Sequence, residues 1–211
     1  MKVRKVLVGF GMVAVVLALG ALYIAHEIHS ARSEIAAWST RKYPAVRLPA
    51  DLPIEVVGRD FEWRVRYASH RRFQSDPQIV ENFGRECDNG QTQADDVHVV
   101  NELHLWRDAA VRIHLKAADV PHTLFIPTGR ILQSASPGSV TEVWFQFTDS
   151  NVAWDAEAAD WKLTEPWDMA CAEHSQKESM RGMVWVHDTK EDFLRWLKHA
   201  EEMRLPPPRG K

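Results

Sequence analysis

Cysteine is scarce in this chain, with two among 211 residues, Cys87 and Cys171. Two thiols are too few for a disulfide framework and leave room for a single bridge. There is no C-x-x-C pair, no glycine-rich phosphate loop and no recognisable serine–histidine–acid triad. The sequence therefore offers no dithiol redox motif, no nucleotide cradle and no hydrolase nucleophile. A basic excess is also lacking: 26 Lys and Arg face 29 Asp and Glu, for a net charge of −3. That balance does not suit nucleic acid as a partner. No internal repeat is present. Tryptophan, by contrast, is abundant: nine copies need a substantial core or interface to hide in, and 26% charged residues keep the bulk of the chain soluble. Three positive charges sit in the first five residues, so the remainder sums to −6. A mildly acidic domain is compatible with a cationic partner.

One long apolar run stands out. Residues Val6–Ala25 carry no charge over twenty positions. As a helix they would span roughly 30 Å, the thickness of a bilayer's hydrocarbon core. The basic residues before the run keep the N-terminus in the cytoplasm and export the remainder of the chain. A cleaved signal peptide, processed near Ala18–Ala21, is the competing reading and has the same consequence for the domain. The expected organisation is a single-pass transmembrane anchor over 1–29, a linker over 30–52, a domain over 53–203 and a tail over 204–211. Within the domain, short β-branched and aromatic runs recur. They are 53–58, 61–67, 97–105, 111–116, 122–127, 140–147 and 183–187. In 111–116 the alternation is strict, with Val111, Ile113 and Leu115 on one face and Arg112, His114 and Lys116 on the other. About seven such strands with turns between them predict an all-β sandwich. Residues 68–96, with a turn at Asn89-Gly90, and residues 149–166 read as polar excursions. Thr189 and Asp192 in capping-box spacing, followed by Phe193, Trp196 and Leu197, predict a short C-terminal amphipathic helix.

Four motifs, in order, carry a resemblance: "FEWRVRY" (61–67), "ADVPHTLFIPTGR" (118–130), "LQSASPGSVTEVWF" (132–145) and "CAEHSQKESMRGMVWV" (171–186). They resemble subunit II of the haem–copper oxidases, the cytochrome c oxidase subunit II family. The first looks like that family's aromatic strand. The second is similar to the segment bearing its first histidine ligand, and the fourth to its copper loop and final strand. The resemblance implies a cupredoxin-like Greek-key β-sandwich outside the cytoplasm, with an N-terminal transmembrane helix and a short C-terminal helix. It also implies electron transport in a respiratory chain. Its partners would be the membrane, a catalytic haem-bearing oxidase subunit that performs the oxygen chemistry, and a cytochrome c or other electron donor. The rival reading is a stand-alone membrane-anchored module that binds copper or a partner protein.

The family's dinuclear copper centre uses one histidine and then C-x-E-x-C-x-x-x-H-x-x-M. Carried over residue by residue, His122 matches the first histidine, Cys171 the first cysteine and Glu173 the backbone-carbonyl donor. The pattern then departs. Ser175 stands where the second bridging cysteine belongs, Ser179 where the second histidine belongs, and Gly182 at the methionine's position between Met180 and Met183. The Met-Arg-Gly context makes Met180 the counterpart after a two-residue deletion. A hydroxyl cannot bridge two coppers as a thiolate does, so the dinuclear site reads as lost. A mononuclear copper site needs two histidines, one thiolate and a weak thioether. His122, Cys171, His174 and Met180 supply those types. The third reading is a metal-free domain, as in subunit II of oxidases fed by quinol. Cys171 would then be a small buried hydrophobe or pair with Cys87, with His122 a hydrogen-bonded core histidine and Met180 packing. Among the three, the metal-free state is preferred and one copper ranks above two.

The resemblance further places Trp63 and Phe61 on the strand that conducts electrons toward copper, with Trp63 the candidate entry residue; core filling is the favoured alternative for both. Arg130 and Gln133 match positions that face the catalytic subunit, while Ser134 replaces the acidic residue expected beside them. Glu81, Asp95 and Asp96 are acidic enough to help dock a basic donor, although a solvated loop is the plainer reading. His26 and His29 do not suggest a metal site.

Overall fold

The computed structural model describes Gly20, residues 22–24, residues 50–173 and residues 180–203. The chain divides into two units, Met1–Lys42 and Tyr43–Lys211. In the first, Gly20 and residues 22–24 are helical. Among the described residues no helix is long and apolar enough to cross a membrane. Most of the expected anchor and linker, His26, His29 and the tail lie outside them.

The second unit is a two-sheet sandwich. In β1 (Leu52–Arg59) the apolar side chains fall at every second position, and Leu52, Ile54 and Val56 are fully buried. In β5 (Val111–Ala117) the predicted inward set Val111, Ile113 and Leu115 is buried as well. The two strands run parallel, with Ile54 opposite Ile113. β2 (Glu62–Tyr67), β3 (Val97–Val100) and β8 (Thr141–Phe145) complete this sheet in the order β3-β2-β1-β5-β8. The other sheet uses β4 (Glu102–Trp106), β6 (His122–Ile126), β7 (Ile131–Ala135), β11 (Trp167–Cys171) and β12 (Arg181–His187). Its order is β4-β12-β11-β6-β7. One core cluster draws on both inner faces, joining Ile54, Val65 and Leu115 to Leu105, Leu124 and Val184. Period-two burial on each sheet is what sheet-on-sheet packing demands.

The sandwich expected from the sequence is present, built from more and shorter strands. The run 97–105 is two strands in different sheets, because the chain turns at Asn101 with φ 59°. The Asn101 side chain accepts the Trp63 N–H at 2.8 Å, and its own N–H donates to the Trp63 carbonyl at 2.7 Å. Asparagine tolerates this left-handed backbone better than most residues. Gly182 permits the corner, since a Cβ there would lie 2.3 Å from the Asn101 carbonyl oxygen. In the second excursion, β9 (Val152–Asp155) and β10 (Asp160–Leu163) form a separate hairpin.

The first excursion is helical. It holds α1 (His70–Ser75) and α2 (Ile79–Asn89), and α2 stops at Gly90 with φ 67°. Left-handed glycine is a common helix C-terminal cap. These helices cover a buried ionic network on the outer face of the first sheet. Arg66 donates to Glu55 and to Asp96, each at 2.6 Å, while Arg72 reaches Asp96 at 2.9 Å and Glu86 at 2.6 Å. The guanidinium of Arg66 lies 4.7 Å from the centre of the Phe83 ring. The Asp96 side chain is thus fully enclosed, and Asp95 is tied to Ser69 and Arg71. The solvated loop favoured from sequence does not describe Asp96, which is enclosed, or Asp95, which is half-buried, whereas Glu81 is exposed.

The terminal helix α3 (Lys190–Glu202) forms as expected. Thr189 caps it by accepting the Asp192 N–H at 3.1 Å, and Phe193, Trp196 and Leu197 are buried. Trp196 stacks flat on His104 of β4, with ring centres 3.7 Å apart.

Candidate metal centre

The candidate site forms where β6 begins and β11 ends, on adjacent strands of the second sheet. Cys171 pairs with Leu124, and the Ala172 N–H donates to the Thr123 carbonyl at 2.9 Å. This register brings together two residues 49 apart in sequence: His122 Nδ1 lies 3.8 Å from Cys171 Sγ. The sulfur also accepts the Thr123 N–H at 3.4 Å. The Cys171 N–H donates to the Met180 carbonyl at 3.2 Å and closes the base of the loop. Met180 is buried and has φ 81°, a costly backbone for a residue with a Cβ. Glu173 is exposed and its carboxylate accepts a hydrogen bond from Thr123 Oγ1 at 2.9 Å. Ser134 and Thr123 share a further hydroxyl–hydroxyl bond at 2.8 Å. His174 and Ser175 lie outside the described residues.

Three neighbours fix the His122 ring. Trp63 meets it edge-on with centres 6.0 Å apart. Gly58 lies against its Cγ and Cδ2 atoms. Asp119 Oδ1 accepts from Nε2 at 2.7 Å. The same carboxylate accepts the Val120 N–H through Oδ1 at 2.8 Å and the Asp60 N–H through Oδ2 at 2.9 Å. Partial burial would raise the Asp119 pKa, but the hydrogen bonds from Asp60, His122 and Val120 together hold it well below the ordinary carboxylate range. Asp60 and Phe61 form the two-residue β1–β2 turn with φ 52° and 62°. Such turns favour Asn-Gly, and left-handed backbone costs an ordinary L-residue roughly 1–2 kcal/mol. Phe61 is 54% exposed and so does not fill the core, whereas Trp63 is completely buried.

One copper would set a definite spacing between these two donors. Metal bonds of about 2.0 Å to imidazole nitrogen and about 2.3 Å to thiolate, meeting at a trigonal angle, would separate the two donors by about 3.7 Å. The observed 3.8 Å matches that span. A carboxylate on the far ring nitrogen is the usual support for a metal-binding histidine. His122 and Cys171 therefore fit half of a one-metal donor set. Among the described residues no group of three His, Cys, Asp or Glu side chains could enclose an ion. Glu173 directs its carboxylate to Thr123.

Cys87 is elsewhere, on α2 over the outer face of the first sheet and 3.4 Å from Arg66 Nη2. Burial and the nearby Glu55 push its thiol up to about 12, against the pull of Arg66 and Lys116. It forms no disulfide with Cys171, and both are buried. Arg130 is exposed with φ 52°, and Gln133 is half-buried. Asp119, Thr123 and Gly58 are the site residues that sequence reasoning passed over. Asp119 was within reach, since it precedes His122 by three residues.

Comparison with known proteins bears on the family and the fold. The family model "Cytochrome C oxidase subunit II, periplasmic domain" matches residues 52–157, a stretch that contains His122 and ends before Cys171. The alternative cytochrome c oxidase subunit 2 of Bradyrhizobium diazoefficiens is 28% identical over 167 residues, covering 74% of this chain and 54% of that protein. The probable cytochrome c oxidase subunit 2 of Rickettsia bellii is 28% identical over 109 residues, covering 51% of this chain and 39% of that protein. The chain thus spans about two-fifths to one-half of the length of these relatives. The periplasmic domain of cytochrome oxidase subunit II from Bradyrhizobium japonicum superimposes with a TM-score of 0.50 at 20% identity, covering 75% of this chain and 99% of that domain. A subunit II domain captured in a mixed disulfide with a thioredoxin-like protein gives a TM-score of 0.52 at 18% identity, covering 77% of this chain and 99% of that one. These likenesses show the shared all-β sandwich. The chain belongs to the cytochrome c oxidase subunit II family, through its periplasmic domain.

Proposed function

We propose that this chain is a subunit II-like component of a membrane respiratory oxidase, that its sandwich works on the outer side of the membrane against a haem-bearing catalytic subunit, and that the dinuclear copper centre is absent. The observation that carries the reading is the donor set. One imidazole and one thiol face each other at 3.8 Å, and the residue that would supply the second bridging thiolate is Ser175. Without two thiolates, two coppers cannot share a pair of bridges. In this reading the domain's role is structural or in assembly. A thioredoxin-like partner is known in a mixed disulfide with a related domain. Here the loop carries a single thiol, so an intraloop disulfide has no second sulfur.

A second reading is favoured by the His122–Cys171 spacing: a mononuclear copper held by His122, Cys171, His174 and Met180. Copper would supply one-electron acceptance and release. The chain's own part is to hold the donors dry and oriented. Asp119 fixes the imidazole, the Thr123 N–H is aimed at the sulfur, and Trp63 shields the ring.

Isolation of the tagged full chain from membranes tests the oxidase assignment. A haem-bearing multi-helix subunit, identified by its haem spectrum and by mass spectrometry, is expected to co-purify in one-to-one amount. Recovery of the chain alone, without haem, under conditions that preserve oxidase complexes would favour the stand-alone module.

A further inference from the structure

We propose that Asp119 is a positioning residue: it fixes the tautomer of His122 and, with its other oxygen, holds the strained turn that presents Phe61. The inference rests on the reading of His122 and Cys171 as the functional pair. A carboxylate has no hydrogen to give at neutral pH, so the 2.7 Å contact with Nε2 requires the proton to be on Nε2. In the neutral ring Nδ1 is then the bare lone pair, and Nδ1 is the atom facing Cys171 Sγ. The opposite tautomer would put an N–H against the sulfur and a lone pair against a carboxylate. One side chain thus decides whether the pair can share a proton or an ion.

The other oxygen accepts the Asp60 N–H at 2.9 Å. That bond ties the start of the left-handed Asp60–Phe61 turn to the loop before β6. Asp60 suits the first position of such a turn, but Phe61 stands where glycine would adopt the backbone readily. The Asp119 carboxylate is a contact from outside the turn that helps to hold it, across 59 residues of sequence. His122 and the exposed Phe61 are consequently two ends of one hydrogen-bonded unit.

The test is nitrogen-15 NMR of the metal-free full chain, reading the His122 ring and the exchange of the Asp60 amide. The wild-type ring is expected to be protonated on Nε2. Asp119→Ala should give a mixture of tautomers and Asp60 exchange about tenfold faster, and Asp119→Asn, with one acceptor oxygen in place of two, should lose either the Nε2 proton or the Asp60 protection. Amides of β4 and β12 report whether each variant is folded, and Asp119→Asn, nearly identical in shape, decides if Asp119→Ala is not. A folded variant that keeps the Nε2 proton and wild-type Asp60 protection would overturn the proposal. A wild-type ring protonated on Nδ1 would overturn it without any variant. Because no metal is present, failure to bind copper or to find a haem partner would not affect the result.

Discussion

Gly58 lies directly against the imidazole of His122: a Cβ on Gly58 would stand 2.7 Å from both Cγ and Cδ2 of the ring. The ring cannot yield by flexing. The Asp119 carboxylate holds its Nε2, and Trp63 meets it edge-on. The glycine in β1 is therefore a condition for the His122–Cys171 pair on the opposite sheet.

Gly58→Ala is expected to destabilise the domain by about 1–3 kcal/mol, the usual range for overpacking a filled core. Urea unfolding measures it. The same substitution should displace His122 and abolish any copper bound through Nδ1. A variant as stable as the wild type would show that the ring is not wedged as described.

Arg66 is the centre of the network beneath α1 and α2, with its side chain 3% exposed and two carboxylates at 2.6 Å. Burial raises the Glu55 pKa, but hydrogen bonds and charge from Arg66 and Lys116 lower it overall. Arg66→Ala leaves Glu55 and Asp96 buried with part of their compensation gone. The expected cost is about 3–5 kcal/mol, measured by chemical denaturation. A loss below about 1 kcal/mol would mean that Arg72 and Lys116 suffice.

His104 and His187 form a second buried pair, with Nδ1 of the first 3.1 Å from Nε2 of the second. Around them lie Glu102 at 3.4 Å from His104 Nε2, the Tyr67 hydroxyl against the His104 backbone, and Asp192 on α3. Burial pushes His104 well below its ordinary value. Burial and the neighbouring His104 push His187 down to about 2, opposed by Asp192. Both rings fold neutral, whereas the unfolded chain protonates them near pH 6.5. Unfolding therefore takes up protons below that pH. Stability is full above about pH 7 and falls as pH drops, by up to about 1.4 kcal/mol per pH unit for each ring. Melting temperatures between pH 7.5 and 5 should fall steeply in the wild type and less in His187→Phe. Equal melting temperatures across that window would contradict the burial of neutral rings. The paired carboxylates, such as Glu55, lose their contribution only below about pH 5.

The sandwich was legible because its signal is local. Strict alternation in 111–116 and the capped apolar stripe at 189–197 each specify an element without reference to the rest. The break at Asn101 was not legible, because the corner depends on Trp63 and Gly182, which come from other strands. The helices α1 and α2 were hidden by composition, since arginines and acids that look solvated in sequence are turned inward against one another. His122 and Cys171 could be named from motif order alone, and the 3.8 Å that joins them required the register of β6 and β11. Asp119 precedes His122 by three residues, but that spacing alone does not show that its carboxylate turns back onto the ring, which depends on the loop before β6. Phe61 was misassigned to the core because strand periodicity does not register a two-residue turn with positive φ.

The most direct test is copper stoichiometry with electron paramagnetic resonance on the full chain, loaded with copper and dialysed. No more than one copper per chain is expected. Any signal should be that of a single copper ion, removed by Cys171→Ser and by His122→Ala. Two coppers per chain with a mixed-valence dinuclear spectrum would contradict it and show that Ser175 does not end the dinuclear site.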